Sequence, residues 1–145
     1  MTTLAQAEAV AAATLEHGRA VGAAPLTVAV LDAGGHPVVL KREDGSGILR
    51  PQIAQAKAWS ALGMGFSSRE IGRRADAQPV FFGSLASVAD GRFAPAAGGV
   101  LLRDGGGVLL GAVGVSGDVS DVDEACALAG IAAAGLHSDP VPDRP

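Results

Sequence analysis

Aromatic side chains and cysteines are scarce in this chain. Its 145 residues include four Phe, one Trp, no Tyr and a single cysteine, Cys126. A lone cysteine excludes an internal disulfide, and its Ala-rich surroundings predict a small, buried apolar group. Few aromatic rings leave little surface on which nucleic-acid bases could stack. The core must therefore consist mainly of Ala, Val and Leu, and a reducing location is expected.

Positive charge is also in short supply. The chain has 11 Lys and Arg against 15 Asp and Glu, a formal net charge of −4 and a sequence pI near 5.2. This balance disfavours attraction to a phosphate backbone, which argues against nucleic acid as a partner. No run approaches the ~20 apolar residues of a membrane-spanning helix, and the first residues do not resemble a secretory signal. We expect no membrane partner and a cytoplasmic location.

Ala-rich segments alternate with Val-rich, glycine-punctuated ones along the chain. The length suits one domain with one core, which we assign to residues 1–137. The Ala-rich runs have high helix propensity and predict helices at about 3–19, 51–63 and 121–136. The Val-rich runs predict two hairpins, with strands at about 26–32, 36–43, 99–103 and 108–115. This order predicts an α+β fold with an antiparallel sheet covered by helices.

The remaining segments give weaker local signals. Ser67 or Ser68 can cap a short helix through residues 71–75, whereas residues 78–95 predict a long, partly irregular excursion. Ser120-x-x-Asp123 matches a variant capping box at the start of the last helix. Residues 138–145 contain three prolines and predict an extended or flexible tail.

Four motifs, taken in order, resemble one known family. They are Val28-Ala29-Val30-Leu31-Asp32-Ala33-Gly34-Gly35, Gln55-Ala56-Lys57-Ala58, the glycine-rich hairpin from Gly98 to Gly117, and Ser120-Asp121-Val122-Asp123-Glu124. Their order and spacing resemble the GlcG/HbpS-like family of haem-binding-related domains, also found as the C-terminal domain of PduO-type proteins. The resemblance extends from residue 4 to residue 136. It implies a profilin-like α-β-α sandwich, a dimer or higher homo-oligomer, and a cavity for haem or another tetrapyrrole.

Lys57 is the central candidate for ligand binding. It shares a face of the second predicted helix with Ile53 and Ala61, which are apolar or small. Its stem can follow the core toward solvent, or its ammonium can enter a pocket. The resemblance implies that the Lys-Ala pair borders a cavity between the sheet, this helix and the last hairpin. Burial would lower the pKa of this ammonium unless an acid such as Asp32, Asp44 or Glu124 lies close, and either environment suits recognition of a carboxylate.

Polar residues at the strand ends are further candidates. Asp32 precedes a glycine turn, where capping of the turn's N–H groups competes with a catalytic role. Arg42 and Asp44 resemble part of the family's Arg-Met-Asp-Gly-Ala segment, with Glu43 in place of the Met. Ser116 lies in Gly-Val-Ser-Gly, which lacks the spacing of a nucleophile elbow. Its glycines favour close backbone approach near the start of the last helix, whose N–H groups could hold an anion.

The acidic residues at the start of the last helix are assigned by position. Asp121 and Asp123 are predicted to cap the helix, where negative charge is favourable. Glu124 is the best candidate for facing a pocket or a neighbouring subunit.

Three histidines could in principle ligate a haem iron. His36 follows a hairpin turn and His137 follows the last helix, so solvated or helix-end roles suit them. His17, near the end of the first helix, is the best placed axial ligand, although a lone helical histidine is more often structural. The sequence contains no paired-histidine metal motif and no Cys-x-x-Cys-His.

These residues support a small ligand-binding domain and leave three functional hypotheses. The first is binding of haem or another tetrapyrrole for storage, sensing or delivery. The alternative is an enzyme or accessory protein that acts on a small oxidised carboxylate, with Lys57 and a carboxylate as the polar pair. The third is a structural partner of an oxidoreductase complex.

Overall fold

A five-stranded antiparallel sheet forms the centre of the computed structural model, which describes residues 1–140. Its strands are β1 (Thr27–Asp32), β2 (Pro37–Arg42), β3 (Gly99–Arg103), β4 (Leu109–Ser116) and β5 (His137–Asp139). They lie in the order β2-β1-β4-β3-β5. The described residues also form the helices α1 (Leu4–Ala20), α2 (Arg50–Met64), α3 (Ser68–Ala77), α4 (Pro79–Val88) and α5 (Ser120–Ala133). The predicted α+β class and both predicted hairpins are confirmed.

One face of the sheet is covered by α1 and α5. Alternate residues of the central strands point toward these helices and are fully buried, namely Val28, Val30, Val113 and Val115. The helices contribute Ala7, Val10, Ala11, Cys126, Ala127 and Ile131. A Cβ on Gly130 would overlap Thr14, so α1 and α5 approach each other closely. This side of the molecule is a conventional core of interlocking side chains.

The opposite face holds α2 in direct contact with the sheet backbone. Gly99 and Gly114 are paired across β3 and β4. A Cβ on Gly114 would overlap the carbonyl oxygen of Ala54, and one on Gly99 would overlap that of Lys57. The apolar cluster on this side is correspondingly small and consists of Leu31, Ala58, Ala61, Leu101 and Ala112. Two glycines therefore determine how close α2 can lie to the sheet.

The segment from residue 78 to residue 95 is more regular than predicted. Its first half forms α4, with Pro79 at a position where a helix needs no backbone N–H donor. The helix was missed because it carries no polar face to produce a helical periodicity: Phe82 is its one buried residue, and its other residues are also apolar or small. α3 occurs where it was expected, with Ser67 Oγ accepting from the Glu70 N–H at 3.3 Å.

The last helix begins without the predicted capping box. Its N-cap is Val119, and the side chain of Ser120 makes no capping bond. Asp123 Oδ1 instead accepts from the backbone N–H of Asp118 at 2.9 Å. Asp121 does not cap the helix and forms an ion pair with Arg69 of α3. The carboxylates still lie near the positive end of the helix dipole, as expected.

The chain returns to the sheet after α5. Gly135 has a φ of 75°, a left-handed conformation that glycine adopts readily, and it turns the chain into β5. Ser138 and Asp139, which the sequence assigned to the tail, are therefore strand residues paired with β3. Arg103 Nε donates to Asp139 Oδ2 at 2.6 Å across this pairing. Residues 141–145 of the predicted tail lie outside the described residues.

Candidate functional site

Lys57 forms a buried ion pair with Asp123. The two side chains are 4% and 1% exposed, respectively. Lys57 Nζ donates to Asp123 Oδ2 at 3.1 Å and to the carbonyl oxygen of Val115 at 3.0 Å. The pair thus joins α2 to the first turn of α5 at the end of β4.

Burial acts on both members of this pair. It lowers the pKa of the Lys57 ammonium and raises the pKa of the Asp123 carboxyl, because each charged form is penalised away from water. The hydrogen bond from the Asp118 N–H and the charge of Lys57 oppose the shift at Asp123. Every polar contact of the Lys57 ammonium is internal, and Lys57 lines none of the cavities described below. The acid that meets Lys57 is Asp123, not Asp32, Asp44 or Glu124.

Asp32 caps the turn between β1 and β2. Its Oδ1 accepts from the backbone N–H of Gly34 at 2.9 Å and from that of His36 at 3.0 Å. Asp32 therefore has a structural role: its carboxylate stabilises the turn that follows β1.

The other end of the same hairpin holds a shallow polar depression of ≈ 420 Å³, lined by Arg19, Pro25, Arg42, Glu43 and Asp44. Arg42 Nη1 donates to the carbonyl oxygen of Ser46 at 2.7 Å. Glu43 Oε1 accepts from the Leu26 N–H at 2.7 Å, and Glu43 Oε2 lies 3.0 Å from Arg19 Nε. Glu43 therefore connects β2 to the end of α1.

Ser116 is fully buried at the end of β4, where it pairs with Thr27 of β1. Its Oγ accepts from Arg50 Nη1 at 3.1 Å, which connects the start of α2 to the sheet. A Cβ on Gly117 would overlap the carbonyl oxygen of Pro25. The glycine that follows Ser116 therefore permits the close backbone approach that the sequence suggested.

His17 and Glu124 come together in a groove between α1 and α5, which we call the α1/α5 groove. It measures ≈ 390 Å³ and is lined by His17, Asp121, Glu124, Ala125, Leu128, Ala129 and Ala132. The imidazole of His17 is half-buried, and within residues 1–140 it has no hydrogen-bond partner. Glu124 accepts from Arg69 Nε at 2.9 Å and 3.1 Å, so Arg69 lies at the rim.

The other two histidines lie outside this groove. His36 belongs to the β1–β2 turn, and His137 is the first residue of β5. Across residues 1–140, no three His, Cys, Asp or Glu side chains converge where they could hold a metal ion. In the same part of the chain, no helix is long and apolar enough to cross a membrane.

A cavity that the sequence did not predict lies between α2, the β1–β2 turn and the loop after α4. We call it the Trp59 pocket. It measures ≈ 370 Å³ and is lined by Leu31, Gly35, Pro37, Gln52, Gln55, Ala56, Trp59, Asp90, Gly91 and Arg92. The guanidinium carbon of Arg92 lies 4.1 Å from the centre of the Trp59 ring. The available signals were the sole tryptophan of the chain, two residues after Lys57, and the turn dipeptide Asp90-Gly91.

The predicted ligand-binding residues do not form a single site in the structure. His17 and Glu124 share the α1/α5 groove, and Arg42 and Asp44 share the polar depression. Lys57 is enclosed between α2 and α5. Neighbouring motifs in a sequence need not face the same cavity, because helix rotation about its own axis decides which side chains meet.

Comparison with known proteins gives consistent similarities. Residues 2–132 match a family model described as haem degrading protein HbpS-like. No curated protein matches the sequence. A solved structure of a PduOC:haem complex is 25% identical, with a TM-score of 0.83, and the match covers 93% of this chain and 96% of that chain.

Two further solved structures are similar over most of their length. A double mutant of HbpS from Streptomyces reticuli is 30% identical, with a TM-score of 0.78 and coverage of 90% of this chain and 85% of that chain. Protein ORFY of Klebsiella pneumoniae is 27% identical, with a TM-score of 0.82 and coverage of 92% and 90%.

Proposed function

Because the chain belongs to the HbpS-like family, we propose that it binds haem or a closely related tetrapyrrole in the α1/α5 groove. The observation that carries this proposal is the half-buried, unpartnered imidazole of His17 beside an apolar surface. Histidine nitrogen is a common axial ligand of haem iron. The solved haem complex of a similar protein supports the same ligand class.

The residues of the groove fit a flat, apolar macrocycle. Its α5 side presents Ala125, Leu128, Ala129 and Ala132, which are small or apolar and leave a shallow surface. Arg69, held at the rim by Glu124 and Asp121, would present positive charge to the propionate groups of haem. Haem, when bound, supplies the redox-active iron. The protein's own residues would ligate that iron through His17 and shield one face of the ring from water.

Haem titration followed by absorption spectroscopy tests this proposal. We expect a saturable Soret band with the wild-type protein and a shifted, weaker band with His17→Ala, because the iron loses its nitrogen ligand. His36→Ala is the matched control, since His36 lies on a turn outside the groove. An unchanged spectrum and affinity in His17→Ala would reject His17 as the ligand.

We propose storage, sensing or delivery as the use of the bound haem. A groove that is open on one side favours reversible binding, because the ring remains accessible to an acceptor protein. Transfer of haem to excess apomyoglobin should therefore proceed with the Soret band conserved. Loss of the band when ascorbate is added in air would contradict this proposal and indicate degradation, the activity in the family's description.

The alternative hypothesis, an enzyme that uses Lys57 and a carboxylate as its polar pair, is less well supported by the geometry. Lys57 does meet a carboxylate, but both groups are buried and bonded to each other. A substrate would have to displace Asp123 from a site that is 1% exposed. The geometry therefore favours ligand binding over catalysis at Lys57.

We also propose that the protein self-associates, as a dimer or a higher homo-oligomer. α4 supports this proposal, because Val80, Phe81 and Val88 are exposed and the helix carries no charge in a chain of net charge −4. Two copies can approach along this helix without charge repulsion. Light scattering should give a mass above 14.3 kDa that falls toward this value in Phe81→Glu. A wild-type monomer at high micromolar concentration would reject self-association.

A cytoplasmic location is proposed as well. It is supported by the low cysteine content of the chain, whose one cysteine, Cys126, is buried as a free thiol. Fractionation of cells that produce the native protein tests this location directly.

A further inference from the structure

The Trp59 pocket combines an apolar floor with unused hydrogen-bond donors. Leu31, Pro37 and the half-buried ring of Trp59 form the floor. The indole Nε1 lies beside the β1–β2 turn, because a Cβ on Gly35 would lie only 2.8 Å from that nitrogen. Within residues 1–140 the indole N–H has no hydrogen-bond acceptor, and it is not sealed from solvent. It is therefore free to donate to a ligand.

Arg92 supplies a second set of donors at the mouth of the pocket. Asp90 has a φ of 55° and Gly91 a φ of 80°, so two successive left-handed residues turn the chain and bring Arg92 over the Trp59 ring. A left-handed conformation is unfavourable for a non-glycine residue and is concentrated at functional sites. Arg92 Nε donates to the carbonyl oxygen of Ala89 at 3.3 Å, and within residues 1–140 its terminal N–H groups have no ion-pair partner.

The walls of the pocket add neutral polar groups on one side and one negative charge on the other. Gln52 and Gln55 lie on the face of α2 that also carries Trp59, since these positions are three and four residues apart. Gln55 Nε2 donates to the Pro51 carbonyl oxygen at 3.1 Å, which leaves its Oε1 available as an acceptor. Asp90 at the rim repels anionic groups, and Arg92 can offset this repulsion for one carboxylate but not for a second.

We propose that the Trp59 pocket binds a small planar aromatic or heteroaromatic monocarboxylate. The carboxylate would accept from the Arg92 guanidinium and the Trp59 indole N–H, and the ring would pack on Pro37, with Leu31, which is 1% exposed, beneath it. A volume of ≈ 370 Å³ lies within the range of small-molecule sites, which combine apolar walls with a few placed polar groups. This site is separate from the α1/α5 groove, and Asp90 disfavours the two carboxylates of haem.

Tryptophan fluorescence provides a direct readout, because Trp59 is the single tryptophan of the chain. Nicotinate is titrated into the wild-type protein with excitation at the red edge of the indole band. Nicotinamide, which has the same ring and no charge, is the matched probe. We expect a saturable fluorescence change with nicotinate and binding of nicotinamide that is weaker by about tenfold or more, the effect of losing a hydrogen bond to a charged group.

Two variants separate the role of Arg92 from general charge. Arg92→Gln should weaken nicotinate binding by about tenfold or more while leaving nicotinamide binding unchanged. Arg73→Gln removes a guanidinium from α3, where it pairs with Glu70, and should leave both probes unaffected. Equal binding of the two probes, equal effects of the two variants, or no saturable change would overturn the proposal. Since haem titration reports on His17, failure here is distinguishable from failure of the proposed haem site.

Discussion

The two faces of the sheet are built in different ways. On the α1/α5 face, β-branched side chains interlock with helical Ala, Val and Ile residues. On the α2 face, Gly99 and Gly114 let the helix backbone rest on the strands, and the buried Lys57–Asp123 ion pair joins this helix to α5. The first face can adjust to a change by moving side chains, whereas at the two glycine contacts of the second face backbone meets backbone. Substitutions of similar size should therefore be more costly under α2.

The largest expected effect comes from breaking the ion pair under α2. Lys57→Met leaves the Asp123 carboxylate buried without its cation, and we expect unfolding free energy to fall by about 3–5 kcal/mol. Lys57→Met with Asp123→Leu removes both charges and should recover most of that loss. Urea unfolding of the two single variants and the double variant measures the coupling. A loss below about 1 kcal/mol in Lys57→Met would show that the pair contributes no more than a surface pair.

A methyl group placed between α2 and the sheet is the next test. Gly114→Ala puts a Cβ against the carbonyl oxygen of Ala54, and we expect a loss of about 2–3 kcal/mol. Gly83→Ala on α4 is the control, because its Cβ meets nothing within 4 Å. This control should gain about 0.5–1 kcal/mol from helix propensity. Equal responses of the two variants in thermal unfolding would contradict the glycine contact.

The α1/α5 face should respond more mildly. Ile131→Val removes one methylene from a residue that is 1% exposed, and we expect a loss of about 1 kcal/mol. Urea unfolding of both Ile131→Val and Gly114→Ala gives the two losses of unfolding free energy to be compared. If Ile131→Val is the more costly of the two, the proposed difference between the faces is wrong.

The smallest effect concerns an exposed counterpart of the buried ion pair, on α3 beside α2. Hydrogen bonds from Arg73 and Arg74 lower the pKa of Glu70 from 4.5 to about 2. Because the pKa of Glu70 is lower in the folded state, its ionised carboxylate stabilises the fold. This stabilisation is complete above pH 4.5 and is lost as the pH falls toward about 2. Glu70→Gln should therefore melt slightly below wild type at neutral pH and converge with it in acid. A difference that stays constant across this range would exclude the Glu70 carboxylate as its source.

Local signals explain why much of the fold could be predicted from sequence. Glycine turns between Val-rich runs mark the β1–β2 and β3–β4 hairpins, and Ala-rich runs mark α1, α2 and α5. α4 escaped prediction because an apolar helix without a polar face produces no helical periodicity. β5 escaped because its pairing with β3 depends on a partner distant in sequence, not on its own composition.

The candidate site was less predictable because it depends on contacts between distant segments. The sequence shows that Lys57 shares a face with small residues, but Asp123 reaches it across 66 positions of the chain. The sequence at Ser120 matches the local pattern of a capping box. No capping box forms, because the Asp123 carboxylate accepts from Lys57 Nζ and from the Asp118 N–H instead. The Trp59 pocket likewise requires Arg92 to arrive from a turn with unusual backbone angles.

The strand order has a consequence for how the chain folds. The two central strands, β1 and β4, pair from Thr27 with Ser116 to Asp32 with Gly111, so their partners lie far apart along the chain. Each hairpin can form early from neighbouring residues, but the sheet is completed only when the long intervening segment closes. Closing this segment costs conformational entropy before the β1–β4 contacts can form. We therefore expect this chain to fold more slowly than other chains of similar helix content. The β1–β4 seam, and not either hairpin, is the expected kinetic bottleneck.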